Sequence, residues 1–272
     1  MTQSTGKSCD KSQHSKELVA QLVTPVVLTC NEELNIQRTL ESLTWAKRVV
    51  VLDSGSNDST EQICRKYENL SWHVRPFDSF KGQWEFAIRN LVSTDFTLAL
   101  DADMQVTPEF LNELTEKFFP ERAAAGLVPF RYCYHGRQLR GSLCAPQLRV
   151  FNRDGIKVEQ PAHGHRFETS GSIYAFRNPL IHDDRKPLER WVDAQVSYVK
   201  LNAGALQNGG AHRLKDRLRR LGLMPPLMGA LAYLRAGGPL SGAAAARYAY
   251  ERMTAESLLA IRLMDDRIKE NN

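Results

Sequence analysis

No CxxC pair occurs in the 272 residues; Cys9, Cys30, Cys64, Cys133 and Cys144 are scattered singly. An odd number of cysteines without metal spacing argues against a disulfide framework and for reduced thiols in a cytoplasmic protein. Cys30 and Cys64 are expected to serve as small buried hydrophobes. No run of about 18 uncharged apolar residues is present, which excludes a membrane-spanning helix. Residues 1–16 are polar and lack the apolar core of a secretory signal, so they read as a disordered leader. GxGxxG and GxxxxGK[ST] are both missing, which disfavours a nicotinamide-binding Rossmann site and a P-loop kinase. Helix-turn-helix, zinc-finger and RNP-like patterns are missing too, and a net charge of +5 does not mark a nucleic-acid binder. A balance of that size fits phosphorylated ligands or an anionic surface.

Apolar residues make up 42% of the chain, enough for the core of one large domain, or of one domain with an appendage. Strands are expected over 23–29, 48–52 with Asp53 at its end, 70–74 and 96–100. Helices should lie between them: one with an apolar face of Leu34, Leu40 and Leu43, one running through Tyr67, and one over 82–92. A fourth begins with Pro108 in its first turn and reaches about Phe119. This βα alternation predicts an α/β fold, a mostly parallel sheet covered by helices on both faces. The later chain differs. Strands over 126–134, 146–151 and 172–176 lack intervening long helices, and a long helix over 187–206 carries Trp191, Val192, Val196, Val199 and Leu206.

Asp101-Ala102-Asp103 stands where the apolar strand 96–100 ends. Residues i and i+2 of an extended chain point the same way, so the two carboxylates converge if the chain stays extended there. Such oxygens suit Mg²⁺ or Mn²⁺, which keeps waters and takes further ligands from substrate phosphates. Alone, this tripeptide is an ordinary acidic turn, and 53–60 is an ordinary capped loop. Their weight comes from position. In a parallel sheet, 29–32, 53–58 and 101–103 fall at strand ends that line one crevice. Carboxylates there can accept from a base or ribose, and hydroxyls with a helix N-terminus can hold phosphate.

Three stretches carry a resemblance. Val27-Leu28-Thr29-Cys30-Asn31-Glu32-Glu33, the run from Val50 through Asp53-Ser54-Gly55-Ser56-Asn57-Asp58 to Thr60, and Leu98-Ala99-Leu100-Asp101-Ala102-Asp103 resemble the inverting GT-A glycosyltransferases of family two. Trp45-Ala46, Gln147-Leu148-Arg149-Val150-Phe151 and Leu180-Ile181-His182 are similar to the subgroup of lipopolysaccharide-core β-glucosyltransferases. The resemblance implies a GT-A domain over 23–207, after a leader over 1–22 and before a basic, amphipathic helical extension over 208–272. It also implies metal-dependent, inverting transfer of a hexose from a nucleotide-sugar, UDP-linked, to a glycan or lipid-linked saccharide such as lipopolysaccharide core. By the same resemblance, Thr29, Asn31 and Glu32 line the nucleotide pocket, and Asp53 with Ser54 meets the nucleobase. Asp101 lies near ribose and metal, Asp103 holds Mn²⁺ or Mg²⁺, and His163 is a further ligand candidate.

The chain departs from the family pattern at Met104, at Glu85 and at His163-Gly164-His165, where a His-Glu pair is usual. The acceptor's base is therefore open among Glu159, Glu168 and Asp183. His165 and His182 join His163 as candidates for metal or phosphate. A nucleotidyltransferase would need a Gly-rich, Lys/Arg-bearing loop after strand one, which is missing. The alternative is a non-catalytic nucleotide-sugar-binding or scaffold protein of the same fold. In the tail, 212–220 holds five Lys/Arg against one Asp, and 222–234 is uncharged with a Pro-Pro break. This pairing suits either an interfacial anchor on an anionic membrane or a basic solvated helix followed by one that packs on the catalytic domain; the resemblance to a subgroup acting on lipid-linked acceptors tilts the expectation to the anchor, on the cytosolic face of the inner membrane. A last amphipathic helix over 243–268, with Tyr248, Met253, Leu258, Leu259, Ile261, Leu263 and Met264, is expected to pack back or to self-associate.

Overall fold

The computed structural model describes residues 17–160, 164–208, 217–219 and 221–270. The chain divides into two compact units, one from 17–130, 145–160 and 165–185, the other from 131–144, 164 and the residues after 185.

In the first unit the strands are β1 (Val23–Thr29), β2 (Val49–Asp53), β3 (Leu70–Val74), β4 (Phe96–Asp101), β5 (Met104–Gln105) and β6 (Ala125–Val128). After β7 (Phe130–Tyr134) and β8 (Arg137–Gln138) come β9 (Gln147–Asn152), β10 (Lys157–Glu159), β11 (Arg166–Glu168), β12 (Ile173–Ala175) and β13 (Leu180–Asp184). Seven of them form one sheet in the order β12-β6-β9-β4-β1-β2-β3. It is parallel except for β9, which lies antiparallel between β4 and β6. Every residue of β2 is buried, as a parallel strand covered on both faces should be. Alternate residues serve opposite cores. Val26, Val50, Leu52 and Ala99 pack with Trp84, Ile88 and Phe151; Val27, Val51, Leu98 and Leu100 pack with Ile36, Leu40 and Phe110.

Helices α1 (Ile36–Glu41), α2 (Thr60–Cys64), α3 (Phe80–Phe86, continuing as a π-helical turn over Ala87–Leu91) and α4 (Pro108–Glu113, continuing over Leu114–Phe118) cover the faces. The Thr107 side chain caps α4 by accepting from the Phe110 N–H at 3.1 Å, with Pro108 in the first turn.

Some local expectations fail for visible reasons. Leu34, expected inward, is 49% exposed, because α1 begins only at Ile36 and turns Ile36, Thr39 and Leu40 to the core. Cys30, expected buried, is exposed: β1 ends at Thr29, and Asn31 adopts φ 55, which turns the chain out of the sheet. The strand expected over 126–134 is two strands separated by Pro129, which has no N–H to give a ladder; its carbonyl accepts from Leu180 N at 3.1 Å. Residues 17–22, within the expected leader, are helical, and Val19 is fully buried.

In the second unit, His135 and Gly136, both at positive φ, turn the β7–β8 hairpin with Tyr134 opposite Arg137. Among the described residues that follow are the helices α5 (Leu188–Asn208), α6 (Met224–Arg235) and α7 (Gly242–Glu270). Leu139, Ala232, Ala236, Ala244, Ala245 and Tyr248 make the core. Pro225 and Pro226 do not break this region; they sit in the first turn of α6, where a proline's missing N–H leaves no helical bond unmade. Among the described residues no helix is long and apolar enough to cross a membrane.

Candidate active site

The ends of β1 and β2 are zipped together by their own turn residues. Ser54 N donates to the Thr29 carbonyl at 2.9 Å, Asn31 N to Ser56 Oγ at 2.7 Å, Asn57 N to Asn31 Oδ1 at 2.7 Å and Glu32 N to Thr60 Oγ1 at 2.7 Å. Asp53 is 2% exposed. Its Oδ2 accepts from Gly55 N at 2.8 Å and Ser56 N at 2.7 Å, and its Oδ1 takes the Ser56 hydroxyl. Gly55 at φ 102 makes that turn possible. Asp53, expected at the nucleobase, thus spends its carboxylate on shaping the loop. Asn31 and Glu32 are likewise engaged, Glu32 Oε2 accepting from Asn35 Nδ2 at 2.9 Å. The Thr29 hydroxyl in this loop pair is buried and has no hydrogen-bond partner. The Gln83 amide of α3 braces the loops from below, donating to the Arg75 carbonyl at 2.9 Å and to Ser54 Oγ at 3.3 Å.

The chain does not stay extended through Asp101-Ala102-Asp103. It turns at 102–103 and re-enters β5, so the two carboxylates face different partners. Asp101 Oδ2 accepts from Arg149 Nη2 at 3.1 Å. Arg149, on β9, is 3% exposed; it also reaches Gln147 Oε1 at 2.7 Å, and its guanidinium lies 5.4 Å from the centre of the Phe130 ring. Burial alone would raise the Asp101 pKa, but the Arg149 guanidinium, with His165 and His182 nearby, holds it below the usual carboxylate range. Asp103 is 7% exposed, and its Oδ1 is buried with no hydrogen-bond partner. β13 pairs antiparallel with β5, His182 opposite Met104, which brings His182 Nε2 to 3.7 Å from Asp103 Oδ2.

Asp183 is 2% exposed and accepts two bonds from Arg185, at 3.0 and 2.8 Å. Arg38 approaches the same carboxylate at 3.9 Å and donates to the Asp183 carbonyl at 3.0 Å. The Asp183 carboxylate is thus buried and engaged by Arg185, with Arg38 close by, which sets it apart from the other two base candidates. Its N–H donates to the Asp103 carbonyl at 3.0 Å. Asn35 completes the lock, donating to Asp184 Oδ1 at 2.9 Å and accepting from Arg185 N at 2.9 Å. Sequence reading overlooked Asn35 and Arg38. Their signal was an i, i+3 polar pair facing one way on the helix after strand one.

The other base candidates lie across from one another's partners on the β10–β11 hairpin, where Glu159 faces Arg166 and Lys157 faces Glu168. Glu159 pairs with Lys157, which depresses its pKa, and Glu168 pairs with Arg166. Beside them His165 packs against Trp84, Phe80 and Phe167. Burial, with Arg149 adding to it against the pull of Asp101, pushes its pKa down to about 4, so its ring is neutral at pH 7. Trp84 is wholly buried and is core. His163 lies outside the described residues.

No group of three or more His, Cys, Asp or Glu that could hold a metal is preformed among the described residues. The residues still suit a hard cation completed by phosphate oxygens and water: a buried carboxylate oxygen with no partner, and an imidazole beside the same carboxylate.

The family model for glycosyl transferase family 2 matches residues 24–175. The lipopolysaccharide core biosynthesis glycosyltransferase LpsC of Rhizobium meliloti (strain 1021) is 30% identical over 238 residues, covering 78% of this chain and 80% of LpsC. An uncharacterized glycosyltransferase, the MG060 homolog of Mycoplasma pneumoniae, is 33% identical over 90 residues, 31% of this chain and 29% of that protein. Among solved structures, S. aureus TarS 1-349 in complex with UDP aligns at a TM-score of 0.49 with 15% identity, covering 92% of each chain. Glucosyl-3-phosphoglycerate synthase from Mycobacterium tuberculosis, in complex with Mn²⁺, UDP and glucosyl-3-phosphoglycerate, aligns at 0.47 with 15% identity, covering 76% of this chain and 86% of that one. The family model covers more than half of the chain: the chain belongs to glycosyl transferase family 2, and it is a glycosyltransferase.

Proposed function

We propose that this enzyme transfers a hexose from a UDP-linked donor to a saccharide acceptor of the lipopolysaccharide-core class, with inversion and with a divalent metal. The acceptor class is supported by the likeness to LpsC. The metal reading rests on one observation above the others: the buried Asp103 Oδ1 has no hydrogen-bond partner, and His182 stands 3.7 Å from the other oxygen. Asp103 and His182 would hold Mn²⁺ or Mg²⁺, which when bound neutralises charge on the departing diphosphate.

The chain's own residues do the rest. Arg149 keeps Asp101 ionised, so that its free lone pairs can accept from a donor hydroxyl at the mouth of the crevice. The zipped loops after β1 and β2 present a rigid edge to the nucleoside. A carboxylate of the β10–β11 hairpin, Glu159 or Glu168, accepts the proton of the acceptor hydroxyl as its oxygen bonds to the anomeric carbon. The bond from that carbon to the diphosphate breaks on the opposite face, and the electron pair leaves with the nucleoside diphosphate.

Calorimetric titration with UDP and GDP, with Mn²⁺ and then with EDTA, tests this. UDP binding that needs the metal, and that Asp103→Ala abolishes, is the expected result. Wild-type affinity in Asp103→Ala would overturn the metal assignment. Metal-dependent binding without turnover on any saccharide acceptor would favour the non-catalytic reading.

A further inference from the structure

Helix α6 is apolar on its outer face as well as its inner one, where an amphipathic helix in water would turn polar residues outward. Its inner face buries Met224, Pro225, Gly229 and Ala232. Its outer face, with the residue just before it, presents Leu223, Pro226, Leu227, Ala230, Leu231 and Leu234, all exposed and recurring at helical spacing. The leucines among them are 52%, 51%, 39% and 71% exposed. A contiguous apolar face of this kind marks a surface that something covers.

The charge around the face says what covers it. From Arg217 to Tyr250 the sequence contains no Asp or Glu, while Arg217, Arg219, Arg220, Arg235 and Arg247 lie in that span; of these, Arg219 pairs with Glu256 and Arg247 with Glu251 of α7. The preceding run, 212–220, holds five Lys/Arg against Asp216 alone. Arg217 and Arg235 flank the leucines and are exposed. If two copies of the helix paired, whether parallel or antiparallel, the flanking Arg217 and Arg235 would be brought toward cations of the other copy, which disfavours self-association through this face. An anionic lipid surface satisfies both features: acyl chains cover the leucines and headgroup phosphates meet the arginines.

We propose that the outer face of α6 is the element by which this protein docks on anionic lipid, lying in the interface plane. Its length and apolar content allow it to lie in the interface and not to span it. Docking of this kind would keep the enzyme where a lipid-linked acceptor is presented. That last clause rests on the proposed acceptor; the docking itself rests on the helix alone.

Co-sedimentation of the full chain with vesicles of phosphatidylglycerol and of phosphatidylcholine tests it. The wild type should bind the anionic vesicles and bind the neutral ones weakly. L227S/L231S should weaken anionic binding by about a hundredfold, since each leucine loses its burial in acyl chains. Arg235→Glu should weaken binding to anionic vesicles and leave the neutral ones unaffected. UDP titration on each variant should match the wild type, which separates this proposal from the catalytic one and confirms folding. Unchanged vesicle binding in L227S/L231S would overturn the proposal. So would a wild-type dimer in sedimentation velocity that L227S/L231S converts to monomer without vesicle binding, because the leucines would then cover a second copy.

Discussion

Arg149 and Asp101 depend on each other. In Arg149→Met the guanidinium is replaced by a neutral chain of similar length, and Asp101 keeps its charge without its 3.1 Å partner. Breaking such a pair is expected to cost about 2–3 kcal/mol, less than for two fully buried groups because Asp101 retains some solvent contact. Asp101 is held below its ordinary pKa in the fold, so its contribution is present above the unfolded value and lost as pH falls through the folded one. Urea melts of Arg149→Met should therefore show an acid limb moved to higher pH than in the wild type, and Asp101→Asn in the same background should restore part of the loss. His165 acts in the same direction. Its folded pKa of about 4 lies under the ordinary 6.5, so the stability tied to its neutral form is complete above 6.5 and drains away as pH falls toward 4. His165→Gln should flatten the pH dependence of the melting midpoint across that window; an unaltered slope would place the proton elsewhere.

Among the elements, the β10–β11 hairpin carries the open chemical question. Its inward residues Val158 and Phe167 are buried in the core, so its outward carboxylates ride on a fixed frame. Pairing with Lys157 depresses the pKa of Glu159, which weakens it as a base relative to an unpaired carboxylate. Glu159→Gln and Glu168→Gln should separate: the true base loses about 10²-fold or more in kcat with donor binding intact. Sequence reading placed no strand at either arm of this hairpin, and both the short strands and the register that sets Glu159 opposite Arg166 came only with the fold. The case of β1 to β4 is different. Their β-branched runs and the turn residues after them are neighbours in the chain, so both the strands and the loops between them could be read from composition. The partner of Asp103 could not be read, because β13 joins β5 only after most of the domain has been laid down between them.

The whole molecule sets where it can be cut. A break after residue 207 follows the motif boundary, but the second unit takes its β7–β8 hairpin from inside the catalytic stretch. Tyr132 and Tyr134 pack on Tyr248 of α7, Tyr134 OH meets Glu251, Leu143 N donates to Tyr248 OH at 2.8 Å, and Arg140 N to the Ala236 carbonyl at 3.2 Å. A chain ending at 207 leaves that hairpin without its core, so it should express as aggregated protein while the full chain stays in solution. A soluble, cooperatively melting 1–207 fragment would refute this.

By itself the sequence determined the first four strands, the two turn-rich loops and the pair of aspartates, since each depends on residues adjacent in the chain: apolar β-branched runs, caps and φ-permissive glycine. Tertiary structure decided what those residues do. It gave Asp101 to Arg149 and left one oxygen of Asp103 without a hydrogen-bond partner beside His182; it closed Asp53 into its own loop, and it buried Asp183 between two arginines. These assignments are contacts between segments far apart in sequence, and only packing chooses among them.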